Sequence, residues 1–216
     1  MKNTIIFDLD GTLLNSLEDL YLSTNYALAQ FSYPQRTLEE VRQFVGNGVA
    51  KLIERAIPNG LQNPNYEKCL AIFKENYSKT MLNHTKSYDG ILELLGELKS
   101  SGYKIGVVSN KFDTAVKNLC KLYFEDLVEV AIGESETTRK KPYPDGVLKA
   151  IKELGSNIEN SIYAGDSNVD VETAHNANLK CIGVLWGFRD RENLTQAGAD
   201  YIITHPYEIL TIIKSA

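Results

Sequence analysis

At 216 residues and 43% hydrophobic content, the chain has the length of one large domain or of a core with a smaller insert, and ample apolar material for a buried core. A formal net charge of −5 and a pI near 5.3, with no basic stripe beyond pairs such as Lys140-Lys141, argue against nucleic-acid and anionic-membrane partners and favour a small molecule. Three cysteines, Cys69, Cys120 and Cys181, are odd in number and widely spaced, which fits buried apolar residues rather than a disulfide framework or a zinc site.

In chain order, a short β-branched strand runs from Thr4 to Phe7, and helical spacing follows through Leu17, Leu20, Tyr21, Thr24, Leu28 and Phe31. Thr37 and Glu40 make a capping box for a second helix carrying Leu38, Val41 and Val45 on one face. Gly46, Asn47 and Gly48 interrupt it, and Leu52, Ile53 and Ala56 resume a helix. Asn63 as cap with Pro64 in the first turn starts another, which buries Leu70, Phe73, Tyr77 and Met81.

From Asp89 the pattern alternates. It predicts a helix over Gly90–Lys99, a strand over Lys104–Val108, a helix over Asp113–Tyr123, a strand over Val128–Ile132 and a helix over Val147–Leu154. Strands at Ile162–Ala164, Lys180–Val184 and Tyr201–Ile203 complete it, with a short helix between the first two. Strands alternating with helices read as a parallel sheet covered on both faces. The helical stretch between the first two strands, residues 16–85, is too long for a plain crossover and reads as an inserted cap on a core of residues 1–15 and 86–216. No signal-peptide pattern opens the chain and no apolar run reaches the roughly 18 residues of a membrane span, so a cytoplasmic location is expected.

Polar residues end the strands. Asp8 follows the first, Ser109 and Asn110 the second, and Gly165 and Asp166 a third, at the strand ends where open parallel sheets bind ligands. Lys140 and Lys141 sit on a Pro-rich loop ahead of a helix, from which an ammonium can reach those acids.

The stretches "DLDGTLLNS", "VVSNK", "KKPYPD" and "YAGDSNVD" resemble, in order, the four motifs of the haloacid dehalogenase superfamily, over Ile5 to about Ala177. The insert between the first two motifs resembles the subgroup with a small helical cap. "VGNG", "IERAI" and "GVLWGFRDRENLTQAGADYII" look like its phosphoglycolate phosphatases, although Asn15 stands where many relatives carry an acid. The resemblance implies an α/β fold, a Rossmann-like parallel sheet core with helices on both faces and an inserted α-helical cap.

It also implies roles. Asp8 is the expected nucleophile, forming an aspartyl-phosphate, and Asp10 the proton donor and acceptor, with Mg²⁺ held by Asp8, the Asp10 carbonyl and Asp166. A cation there would offset the repulsion between neighbouring carboxylates. Ser109, the Asn110 amide, the amides after Leu9 and Lys141 are expected to hold the phosphate, with Lys141 bridging it to Asp8. Asp170 is expected to orient Lys141 or a metal-bound water. Gly11 allows the turn and close backbone approach, and Thr12 is expected to bond within that loop. In the cap, Gly46, Asn47 and Gly48 are candidate substrate contacts, as are Arg36, Arg42, Lys51 and Arg55; a plain helix-to-helix turn is the duller reading of the glycine loop. Lys111 is ambiguous, and His84, His175 and His205 form no constellation.

The expected partner is a small phosphorylated metabolite, and monomer and homodimer both remain open. Dehalogenases lack the second acid, so Asp10 points to phosphate chemistry. A sugar-phosphate mutase and a pyrophosphatase are the enzymatic alternatives to phosphoglycolate hydrolysis. A regulatory module that binds metal and phosphate is the non-enzymatic one, expected to have lost an acid or the lysine.

Overall fold

A computed structural model describes residues 2–215. Its elements are β1 (Thr4–Phe7), β2 (Leu14–Asn15), α1 (Leu17–Ala29), α2 (Leu38–Phe44), α3 (Val49–Ala56), α4 (Tyr66–Thr80), β3 (Lys86–Ser87), α5 (Ile91–Ser100), β4 (Lys104–Phe112), α6 (Asp113–Phe124) and β5 (Val130–Glu134). They continue with α7 (Asp145–Glu153), β6 (Ser161–Gly165), α8 (Asn168–Asn176), β7 (Cys181–Val184), α9 (Arg191–Ala197), β8 (Tyr201–Ile203) and α10 (Glu208–Ser215). The chain divides into two compact units: Asn15–Lys86, and the remainder on either side of it.

The larger unit is built on a six-stranded parallel sheet in the order β5-β4-β1-β6-β7-β8. β1 is its centre, with Phe7 level with Val107 of β4 and Ala164 of β6. Successive side chains of a strand point to opposite faces. Ile5 and Phe7 join Ile105, Val107, Ile162 and Ile182 under α5, α6 and α10, while Ile6 joins Val108, Tyr163 and Cys181 under α7, α8 and α9. Both faces are therefore dry. That is why β1 is an unbroken apolar run instead of an alternating one.

Several boundaries differ from the sequence expectation. β4 runs on through Phe112, with a shift in its register to β5 between Val108 and Phe112, because Ser109, Asn110 and Lys111 keep extended backbone while burying polar side chains. β5 lies two residues later than expected. α9 and α10 were unread, although Asp190 caps α9 by accepting from Asn193 N at 2.9 Å and Gly198 ends it in the left-handed region.

The unit Asn15–Lys86 is helical. The capping box of Thr37 and Glu40 is formed in both directions, yet Leu38 beside it is 47% exposed and only Val41 of α2 is fully inside. α1 stops at Ala29, leaving Phe31 outside it, and Met81 follows α4 half-buried. α4 begins at Tyr66, since the Asn63 side chain accepts from Asn65 N at 2.9 Å and so folds a turn ahead of the helix. The buried face of α1 is partly polar, and each polar group has a structural partner. Asn25 bonds both main-chain groups of Arg36 at 2.8 Å, and Asp19 accepts from the amides of His84 and Thr85 and from the Thr85 hydroxyl. Among the described residues, no helix is long and apolar enough to cross a membrane.

Candidate active site

The polar residues that end β1, β4 and β6 meet at the carboxyl edge of the sheet. Asp8 leaves β1 with its amide bonded to Ala164 O at 2.9 Å, and its Oδ1 accepts from Leu9 N at 2.7 Å. The next residues turn tightly, with Leu9 O accepting from the amides of Thr12, Leu13 and Leu14. Gly11 is required twice in this turn. Its φ of 88° lies in the left-handed region, and a Cβ there would stand 2.4 Å from Asp166 Oδ2.

Lys141 is the centre of the charge arrangement. Its Nζ lies 2.7 Å from Asp8 Oδ1 and 2.7 Å from Asp170 Oδ1, and all three side chains are buried. Asn110 fixes where the lysine emerges, since its Oδ1 accepts from Lys141 N at 2.6 Å and its Nδ2 donates to Lys141 O at 3.2 Å. Asp170 is in turn held at both oxygens. Tyr163 Oη donates to Oδ1 at 2.9 Å, while the amide and hydroxyl of Ser167 donate to Oδ2 at 3.0 and 2.6 Å, closing a capping box at the start of α8.

Asp166, the residue after β6, is a further buried acid near Asp8. Thr12 Oγ1 donates to its Oδ1 at 3.3 Å, so Thr12 reaches β6's acid instead of bonding only within its own loop. Phe188 N donates to Oδ2 at 2.7 Å, and Trp186 Nε1 donates to Thr12 O at 2.9 Å, tying the segment after β7 to the first turn. Asp10, two residues beyond Asp8, pairs with Lys111 Nζ at 2.9 and 3.0 Å through its two oxygens.

Electrostatics follow from burial. Desolvation, and then the charge of Asp170, push Asp8 well above the ordinary carboxyl value, and the same two causes lift Asp166 to about 7. Burial opposes the charge on Lys141, but Asp170 and Asp8 outweigh it and hold the ammonium well above the lysine range.

The sequence-expected core residues Asp8, Leu9, Asp10, Gly11, Thr12, Ser109, Asn110, Lys141, Asp166 and Asp170 are thus gathered in one unit. Ser109 is buried and accepts from Lys111 N at 3.2 Å. Gly46, Asn47 and Gly48 lie in the other unit, where they link α2 to α3 with both glycines at positive φ. Arg55 anchors that turn by donating to Asn47 Oδ1 and Phe44 O, while Arg36, Arg42 and Lys51 pair with glutamates of their own unit. The roles of Lys111, Tyr163 and the Trp186–Phe188 segment were missed. Only the sequence position of Lys111, two residues after Ser109, could have flagged any of them.

Three buried carboxylates, Asp8, Asp166 and Asp170, offer oxygen atoms within 4.8 Å of one another. Hard oxygen donors at this spacing suit a divalent cation such as Mg²⁺. All three already have protein partners: Asp170 accepts from Lys141, Tyr163 and Ser167, Asp166 from Thr12 and Phe188, and Asp8 from Lys141 and Leu9.

Fold and site together define a Rossmann-like α/β protein with a buried acidic site at the carboxyl edge of its parallel sheet. Residues 5–184 match the family model described as haloacid dehalogenase-like hydrolase. Phosphoglycolate phosphatase of Nitrosococcus oceani is 32% identical over 98% of this chain and 96% of its own length. Pyrophosphatase PpaX of Listeria innocua is 30% identical over 98% and 96%. A crystal structure from Lactobacillus delbrueckii subsp. bulgaricus, provisionally described as a phosphoglycolate phosphatase, superposes with a TM-score of 0.94 at 32% identity over 99% of both chains. The chain belongs to the haloacid dehalogenase-like hydrolases, and within them it is a phosphatase, a phosphoric monoester hydrolase.

Proposed function

We propose that the chain hydrolyses phosphoglycolate through an aspartyl-phosphate on Asp8, in the cytoplasm and with Mg²⁺. The observation that carries the chemistry is the buried Lys141 ammonium within 2.7 Å of Asp8. It favours the charged form of the nucleophilic carboxylate against burial and the neighbouring acids, and stands ready to balance a phosphoryl group.

In the first step an Asp8 oxygen bonds to phosphorus as the ester P–O bond breaks, and the leaving oxygen takes the proton of the Asp10 carboxyl. In the second, water attacks the aspartyl-phosphate and returns a proton to Asp10, releasing orthophosphate and restoring Asp8. Ser109 and the amides after Leu9 would hold the equatorial oxygens, and Asp170 would keep Lys141 aimed at Asp8. Mg²⁺, held by Asp8, Asp166 and the Asp10 carbonyl, would neutralise charge on the phosphate oxygens. The unit Asn15–Lys86 would serve as the cap, with Gly46, Asn47 and Gly48 among its substrate contacts.

The substrate reading is supported by the name of the Nitrosococcus oceani relative, and the Listeria innocua relative favours pyrophosphate as a second reading. The test is kcat/KM with and without Mg²⁺ for phosphoglycolate, pyrophosphate, hexose phosphates, nucleotides and an aryl phosphate. Phosphoglycolate is expected to lead by at least about tenfold, and a lead for any other substrate refutes the assignment.

Metal dependence has a separate signature in stability. Asp166 is raised from 3.8 to about 7, so the metal-free protein keeps its full stability from this group below about pH 4 and loses it as pH rises towards 7. A cation that binds the ionised form recovers that loss. The rise in Tm on adding Mg²⁺ is therefore expected to be larger at pH 8 than at pH 5; an equal rise at both would remove Asp166 from the metal site.

A further inference from the structure

Lys111 brings a second ammonium, besides Lys141, to the core site residues described above. Its side chain is only 5% exposed, and the Asp10 carboxylate it meets through both oxygens is 14% exposed. Its direction is set by the backbone. Gly133 of β5 packs so closely against this stretch that a Cβ there would lie 2.5 Å from Lys111 O and from Asp113 Cα, and Gly133 N donates to Asp113 Oδ1 at 3.0 Å. Lys111 N also bonds Ser109 Oγ, so the lysine and the phosphate-side hydroxyl share one short irregular segment of β4.

A buried ion pair is weak evidence for a stabilising role, because desolvation cancels most of the attraction. Its position is informative. On the reading of Asp10 as the group facing the leaving oxygen, on which this inference rests, one carboxyl oxygen must turn to that ester, so the two-point contact with Lys111 opens during turnover. A buried ammonium that gives up its partner is costly unless another anion takes its place. The Asp10 carboxyl spans the gap with a hydrogen bond at each end, which puts Nζ within about 8 Å of the ester oxygen. An acid on the first or second carbon of the leaving group falls inside that reach.

We propose that Lys111 is the leaving-group subsite: it pairs with Asp10 in the free enzyme and exchanges that partner for an anionic group carried by the leaving portion of a small phosphomonoester. The favoured substrates are then short phosphorylated acids, and the amide or alcohol of the same shape is disfavoured. The exchange couples recognition to chemistry, since the anion that takes Lys111 releases Asp10, which takes up one proton from water as it leaves the ammonium and passes it to the ester oxygen.

The experiment compares phosphoglycolate with phosphoglycolamide, which differ in the charge of the leaving group and little else. The ratio of their kcat/KM values is measured for the native enzyme, Lys111→Met and Lys111→Arg, with Tm recorded for each. The native ratio is expected to exceed about tenfold, to fall at least tenfold in Lys111→Met, and to be partly kept in Lys111→Arg, with the change mainly in KM. A native ratio below about tenfold overturns the proposal, as does a fall of less than tenfold in Lys111→Met. If Lys111→Met does not fold, Lys111→Gln, which removes the charge and keeps a polar side chain, decides: a ratio reduced at least tenfold supports the proposal, and a smaller reduction refutes it. Failure of the substrate assignment shows elsewhere, as a better substrate in the wider panel, and leaves the acid-to-amide ratio readable.

Discussion

Replacing Asp8 by asparagine is expected to lower kcat by at least about 10³-fold on whichever ester the native enzyme prefers, and to abolish acid-quench trapping of a phosphorylated protein. Asparagine keeps the shape and can still accept from Leu9 N and Lys141, which both meet Asp8 Oδ1 at 2.7 Å, so the loss reports the missing carboxylate rather than a displaced neighbour. Stability supplies the control, and its sign can be worked out. Asp8 is raised well above 3.8 by burial and by Asp170, so ionising it at neutral pH destabilises the metal-free fold. Removing that charge leaves Lys141 with Asp170 as a partner. The metal-free variant is therefore expected to melt no lower than the native protein at pH 7.5. Turnover above a tenth of the native rate in a folded variant would move the nucleophile elsewhere.

The legible parts of the molecule are those that local chemistry determines. β1 reads directly because a strand dry on both faces must be an apolar run, and Asp8 stands out because it ends that run with a charge. The capping box at Thr37 and Glu40 is legible because both of its partners are three residues apart. What stays hidden depends on residues far apart in sequence. Thr12 pairs with Asp166 and Trp186 with Thr12 across more than 150 positions, and no local pattern announces either. Lys111 escapes for another reason: a lysine after "SN" is ambiguous until β4 is seen to continue past it. α9 and α10 were missed although their signals are ordinary, because each is short and the strands beside them dominate the pattern.

Asp170 is the position at which structure and chemistry are hardest to separate, and two substitutions divide them. Its carboxylate accepts from Tyr163, from Lys141 and from both polar groups of Ser167 that start α8. Asp170→Ala removes all of these and leaves a buried ammonium with Asp8 as its remaining acid partner, a loss of about 3–5 kcal/mol by analogy with other broken buried pairs. At roughly 2–4 °C per kcal/mol for a chain of this size, Tm should fall by about 10 °C. Asp170→Asn keeps an acceptor for Lys141 and Tyr163 but cannot accept from the Ser167 amide through its nitrogen, so a smaller fall is expected. Its kinetic effect carries the information. Asp170 contributes directly to the raised values of both Asp8 and Asp166, and removing its charge lowers both. The acid limb of kcat/KM in Asp170→Asn should therefore move to lower pH, a shift that simple loosening of α8 would not produce. An acid limb unchanged in a folded Asp170→Asn would mean that the charge of Asp170 does not reach the groups whose ionisation governs turnover, and that its part is confined to capping α8.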